Sequence, residues 1–201
     1  LVALRLAECD AYLRRHRSAR DSLRPYLEDA SRRAEAQFFF LTATRGLGRH
    51  DEYGRLARDL VDRFGDSSWA EETLNSLASH YILLDEDAQA DAVFRELYEK
   101  YPTGRYTERA AWKTGWWAYK NGAYRDTVRF FEGAAAAFPR SDYRPAYLYW
   151  AGRAHDQLGE RAGANARYAL VATDYLNSYY GRLASDVLAR RGEKMPAASE
   201  T

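Results

Sequence analysis

Sulfur is almost absent from this sequence: its 201 residues include one cysteine, Cys9, and one methionine. A lone thiol closes no internal disulfide and has no neighbour with which to form a metal-binding pair. It reads as a small buried or half-buried thiol and leaves the redox compartment open. An excess of either charge is also missing. Thirty basic and 29 acidic residues leave a formal net charge of +1. The basic residues, nearly all arginine, are spread along the chain. No basic stripe of the kind nucleic acid requires is visible, and no nucleic-acid partner is expected. Long apolar runs are missing too. Residues 38–40 are three phenylalanines and 134–137 four alanines, far short of the ~20 residues that span a bilayer, so no membrane span is expected. No leader pattern is present. The chain opens on "LVALRLAECD", already helical in pattern and without a start methionine, as expected of a piece of a longer protein.

Catalytic constellations are equally scarce. The four histidines, His16, His50, His80 and His155, lie in different parts of the chain with no His-x-x-x-His spacing and no cysteine partner. That gives no basis for a zinc site. Glu71-Glu72 and Asp85-Glu86-Asp87 are neighbouring carboxylates at the expected starts of helices, where capping and solvation explain them. A glycosidase needs two carboxyl groups facing each other across a cleft. "GLG" at 46–48 reads as a turn between helices rather than a phosphate loop. No catalytic residue, cofactor or metal is expected, and the chain is not expected to be an enzyme.

What the sequence does contain is a repeat. Phe64, Tyr101, Phe138 and Tyr175 stand 37 residues apart, and Leu27 lies one step earlier. Four more columns share this register: Trp69, Tyr106, Tyr143 and Tyr180; Leu41, Ala78, Gly115, Gly152 and Ala189; Ala57, Phe94, Phe131 and Tyr168; and Leu60, Leu97, Ala134 and Val171. Each copy has two helical stretches. In the third, Leu74, Leu77, Ala78 and Tyr81 recur at helical steps. Ser68 and Glu71 have capping-box spacing, Asp85-Glu86-Asp87 suits the start of the second helix, and Pro102 ends it. Turns follow at Asn121-Gly122 and Leu158-Gly159, and Pro139 closes the fourth copy. Gly115 and Gly152 fall inside helices at a cost of roughly 1 kcal/mol each, which implies a crossing helix at each. The expected fold is all-α: a right-handed α-solenoid of about five hairpins plus a final helix, "SYYGRLASDVLARRG". Residues 1–191 form the domain, and 192–201 a tail or linker.

The small residues Ala90, Thr127 and Ala164, the aromatics Phe94, Phe131 and Tyr168, and the prolines at 102 and 139 resemble the tetratricopeptide repeat, whose unit is three residues shorter. Over the C-terminal half, and most tellingly at Tyr179-Tyr180-Gly181, the chain is similar to the superhelical domain of soluble lytic transglycosylases. That resemblance implies a periplasmic or cell-envelope location, peptidoglycan glycan as a ligand and a separate catalytic domain in the parent protein. The family's Glu-Ser and Gly-Leu-Met-Gln motifs do not occur here, so no catalytic residue is carried over. The junctions also resemble envelope repeat adaptors that bind a peptide or protein segment.

Three tryptophans crowd one helix. Ala111, Thr114, Gly115 and Ala118 make its small face, committed to packing. Trp112, Trp116 and Tyr119 make another. In tetratricopeptide geometry these positions look into the concave groove, together with Tyr149, Arg153 and Asp156 of the next copy and Asn75, Ser79 and Ile82 of the previous one. Trp117 falls on a flank, packed between copies. Groove lining and core filling are both open for the tryptophans. The candidate binding residues are Asn75, Trp112, Trp116, Tyr119, Tyr149, Arg153 and Asp156.

Overall fold

The computed structural model describes residues 2–28 and 32–193. Among these residues there are eleven α-helices and no strands. The chain divides into two compact units, Leu1–Tyr106 and Thr107–Thr201. The first holds α1 (Val2–Tyr12), α2 (His16–Leu23), a 3-10 turn (Arg24–Leu27), α3 (Arg33–Gly46), α4 (His50–Arg63), α5 (Ser68–Leu83) and α6 (Asp87–Lys100). The second holds α7 (Thr107–Lys120), α8 (Tyr124–Ala137), α9 (Arg144–Gln157), α10 (Arg161–Asp174) and α11 (Tyr179–Arg190). Five antiparallel hairpins and a final helix result, and in the second unit α9 packs on both α8 and α10. Of the expected tail, all but its first two residues lie outside the described residues.

The 37-residue columns are the joints of this architecture. Phe64, Tyr101, Phe138 and Tyr175 are the C-caps of α4, α6, α8 and α10. Each backbone N–H donates to Leu60, Leu97, Ala134 or Val171, a column that is wholly buried. Each aromatic's carbonyl then accepts from the N–H three residues on, at Ser67, Gly104, Ser141 and Ser178, at 2.8–3.1 Å. The same tight turn therefore leads into each of the following first helices, α5, α7, α9 and α11. Within hairpins the turn is equally regular. Gly48, Asp85, Gly122 and Gly159 hold φ of 58–75°. The next residue in each case, Arg49, Glu86, Ala123 or Glu160, donates to the carbonyl five residues back. This left-handed C-terminal closure favours glycine, which has no Cβ to clash.

Two local expectations are corrected. The N-cap of α5 is Ser67, not Ser68: its Oγ accepts the Ala70 N–H at 3.3 Å. Glu71 makes no capping box and instead accepts the Tyr106 N–H at 2.7 Å. Nor does the Asp85-Glu86-Asp87 run open α6 as a block. Asp85 sits in the left-handed turn, Glu86 is the N-cap without a side-chain bond, and only Asp87 is helical.

Candidate functional site

In the second unit the α7 aromatics form a ladder. Trp112 stacks on Trp116 with centroids 6.1 Å apart and planes 6° apart, and Trp116 on Tyr119 at 5.9 Å and 8°. The inner end is held by the core, where Trp112 lies 5.5 Å from the buried Phe131 ring. The outer end is held by Trp150 of α9, whose ring meets the edges of Trp116 and Tyr119 at 4.7 and 4.8 Å. Offset and edge-on pairs of this kind contribute about 0.5–1.5 kcal/mol each beyond area burial. Trp112, Trp116, Tyr119 and Trp150 all stay half-buried. Arg153 lies 5.7 Å over the Trp150 ring. Burial pushes the Tyr119 hydroxyl up, against the opposing pull of Arg153.

The remaining predicted residues are placed differently. Tyr149 is 5% exposed and packs against Tyr168 and Tyr180, so it supports the ledge from behind rather than lining it. Asp156 accepts from Tyr168 Oη at 2.7 Å and from Arg191 at 2.6 Å, a network that ties α9, α10 and the end of α11 together. Burial, then the bond to Asp156, raises the Tyr168 hydroxyl far above the tyrosine range. Asn75 belongs to the first unit, half-buried on α5. Trp117 is half-buried with the Lys120 ammonium 4.9 Å over its ring. Trp150 was not among the predicted residues. Its column, Phe39, Ser76 and Lys113, has no common character, and the available signal was its step of three from Tyr147 and seven from Tyr143.

The first unit holds a cavity of about 560 Å³ where α1, α3 and α5 meet. Phe38, Thr42 and Arg45 line it. They stand 37 residues before Asn75, Ser79 and Ile82, so one more backward step of the register would have found them. Trp69 closes one wall, 5.0 Å from Phe38 and 5.5 Å from Phe39. Arg45 is fixed by a 2.9 Å bond to Ser76 and by the Tyr53 ring 5.3 Å away. Tyr106 donates to Glu72 at 2.6 Å, and burial followed by that bond pushes its hydroxyl up to about 12. Thr42 Oγ1 is buried in this wall without a partner. Aromatic faces beside fixed polar groups suit an extended chain with alternating side chains, or a sugar ring.

The histidines are less scattered than their spacing implied. His50 stacks on the buried His80 at 5.0 Å, while His155 faces Glu132 at 2.8 Å and Glu160 at 2.7 Å. Among the described residues no three or more His, Cys, Asp or Glu side chains gather as a metal set would.

No protein-family profile matches the chain, and no curated protein matches it. Solved structures do. The chain is similar to MamA from AMB-1 at 12% identity and a TM-score of 0.58, covering 88% of this chain and 92% of that one. It is similar to BtubC from P. vanneervenii at 14% identity and a TM-score of 0.53, covering 98% and 82%. A Podosopora anserina putative kinesin light chain with nearly identical TPR-like repeats matches at 15% identity and a TM-score of 0.51, covering 94% and 96%. At these identities the likeness is one of fold: an all-helical, tetratricopeptide-like solenoid.

Proposed function

We propose that the chain is a non-catalytic binding scaffold that holds an extended peptide or protein segment on its first-helix surfaces. The observation that carries this reading is the aromatic ledge of Trp112, Trp116, Tyr119 and Trp150. It is half-buried, anchored from behind, and edged by the Arg153 cation. Large aromatics that the core could have swallowed are instead stacked side by side at the surface. Such rigid, amphipathic groups supply contact area at low entropic cost. The cavity of the first unit repeats the arrangement with Phe38, Trp69 and Arg45. In this reading 1–191 is the scaffold domain and 192–201 a tail, and the setting is the cell envelope.

A second reading is a glycan-holding superhelical domain of a lytic transglycosylase. What favours it is that the Tyr179-Tyr180-Gly181 segment packs against the support of the ledge, Tyr180 lying 5.4 Å from the buried Tyr149. Tryptophan faces also stack on the apolar faces of sugars. The two readings separate in one experiment. Tryptophan emission is followed while wild type and Trp116→Ala are titrated with extended peptide libraries and with soluble peptidoglycan fragments. Saturable quenching by peptides, weakened in Trp116→Ala, supports the scaffold. The same response to glycan alone supports the second reading. Unchanged emission with both ligand classes withdraws the ledge as a site.

A further inference from the structure

Away from these surfaces the first unit concentrates positive charge. Between residues 14 and 24 the chain has Arg14, Arg15, Arg17, Arg20 and Arg24 against one acid, Asp21. The sequence as a whole is balanced, so this excess is local. The turn between α3 and α4 adds Arg49. Arg17, Arg20, Arg24 and Arg49 line a cavity of about 310 Å³, with Asp21 as its one carboxylate and Leu47 on its wall. A shallow surface depression lined by residues 14–18 adjoins it and shares Arg17 and Leu47.

The acids nearby do not cancel this charge. Glu52 is divided between Arg20 and Arg49, Asp21 lies 3.6 Å from Arg24, and Asp10 is taken by Arg15 and Ser18. Arg14 and Arg17 have no ion pair among the described residues. Two buried nitrogens at this corner also lack partners: Arg20 Nε, on a residue 8% exposed, and His16 Nδ1. Buried donors are nearly always satisfied, and an unsatisfied one points to a missing acceptor. Here Arg20 Nε is such a donor, on a residue that lines the arginine-rich cavity.

We propose that this corner binds a phosphomonoester dianion. Guanidinium groups match phosphate oxygens in pairs, and a dianion answers several converging arginines where a single carboxylate would leave charge uncompensated. The cavity is at the low end of ligand-site volumes, which fits a phosphate carrying a small organic group. The site lies on α2 and a hairpin turn, uses no residue of the aromatic ledge, and stands or falls independently of it.

The test is calorimetric titration of the full chain with O-phosphoserine and with inorganic phosphate, at ionic strength held constant with sodium chloride. Arg17 and Arg24 are exposed, so Arg17→Gln/Arg24→Gln should keep the helical spectrum. Saturable binding of a phosphate species is expected, weakened roughly tenfold or more in that double variant. Arg140→Gln/Arg182→Gln removes the same charge from exposed positions elsewhere and should bind as wild type does. Tighter binding of phosphoserine identifies the monoester. Equal binding assigns the site to free phosphate and keeps the shared chemistry. Absent or non-saturable heats, or equal losses in the two double variants, overturn the proposal. So does binding to anionic lipid vesicles without binding to either soluble phosphate, which would make this corner a membrane-facing patch.

Discussion

Gly115 lies directly against the Phe131 ring: a methyl group on its Cα would stand 2.3 Å from Phe131 Cε1. Gly152 meets the Tyr168 ring in the same way at 2.9 Å. Both pairs are separated by 16 residues, as are Leu41 from Ala57 and Ala78 from Phe94. Along the register the inner residue shrinks as its opposite number grows, from leucine and alanine to glycine and tyrosine. This is volume conservation in a close-packed core. It explains why helix-interior glycines persist despite their intrinsic cost: they leave room for the ring that fills the hairpin.

Gly115→Leu should therefore overpack the α7–α8 contact and destabilise by roughly 1–3 kcal/mol. Gly115→Ala should also destabilise, and combining it with Phe131→Leu should recover part of the loss, because the smaller partner vacates the space the methyl group needs. Urea denaturation of the single and double variants gives the coupling directly. Strict additivity would show that the two side chains do not share that space.

The columns made the helices, turns and crossings legible, because each rests on short-range geometry: a C-cap aromatic, a left-handed turn residue, a small residue facing a large one. The binding residues were only partly legible. Helical phase placed Trp112, Trp116 and Tyr119 on one face. It could not reveal that α9, covered by both α8 and α10, would bury Tyr149. Nor could it reveal that Arg191, 35 residues on, would occupy Asp156. Five arginines between residues 14 and 24 are already a local excess in the sequence, hidden by reading the chain's charge as a whole; only Arg49, which the α3–α4 turn brings to them, is a long-range contribution with no trace in local spacing. Ser67 and Ser68 are adjacent and equally suited to cap, and only the preceding turn from Phe64 decides between them.

Glu132 should shape the acid limb of stability. Burial on its own would raise its pKa, but bonds from Arg167 at 2.6 Å and His155 at 2.8 Å outweigh that and hold it below its ordinary value. A carboxyl with a depressed folded-state pKa contributes stability that is present above the unfolded value, about 4.5, and lost as pH falls through the folded one. Glu132→Gln should accordingly narrow the difference in urea midpoint between about pH 7 and about pH 3. Because Glu160 holds the other ring nitrogen of His155 and Arg125 lies 3.8 Å from Glu160, the same variant in high salt separates the direct bonds from general screening. A midpoint difference equal to that of wild type would remove Glu132 from the acid transition.

Asp85 occupies the position that glycine holds at 48, 122 and 159, with φ of 58°. A left-handed conformation costs a residue with a Cβ roughly 1 kcal/mol, less for aspartate than for most. Asp85→Gly should raise stability by about 0.5 kcal/mol, the relief of strain outweighing the greater freedom of glycine in the unfolded chain. Thermal denaturation would register this as a rise of a few degrees at most. A fall would mean that the carboxylate, beside Glu86 and Asp87 at the start of α6, contributes more to the helix than its backbone conformation costs.

Gly181 is the tightest glycine in the molecule among the described residues. A Cβ there would stand 1.8 Å from the Tyr175 carbonyl oxygen, a backbone atom that cannot rotate away. The same carbonyl accepts the Ser178 N–H at 2.8 Å, and Ser178 Oγ in turn accepts the Gly181 N–H at 2.9 Å to cap α11. The turn, the cap and the glycine therefore form one closed unit. The equivalent positions one, two and three steps earlier are Arg144, Thr107 and Ala70, so the other junctions tolerate a side chain and this one does not. The Ser-Tyr-Tyr-Gly run thus has a local structural cause in addition to any ligand it serves. Gly181→Ala should displace the start of α11 and destabilise by about 2 kcal/mol or more. The loss should centre on α11, with hydrogen exchange accelerating at residues 179–190 while α7 and α8 keep their protection. Unchanged exchange across α11 would show that the backbone can retreat from Tyr175, and the segment would then need another reason for its glycine.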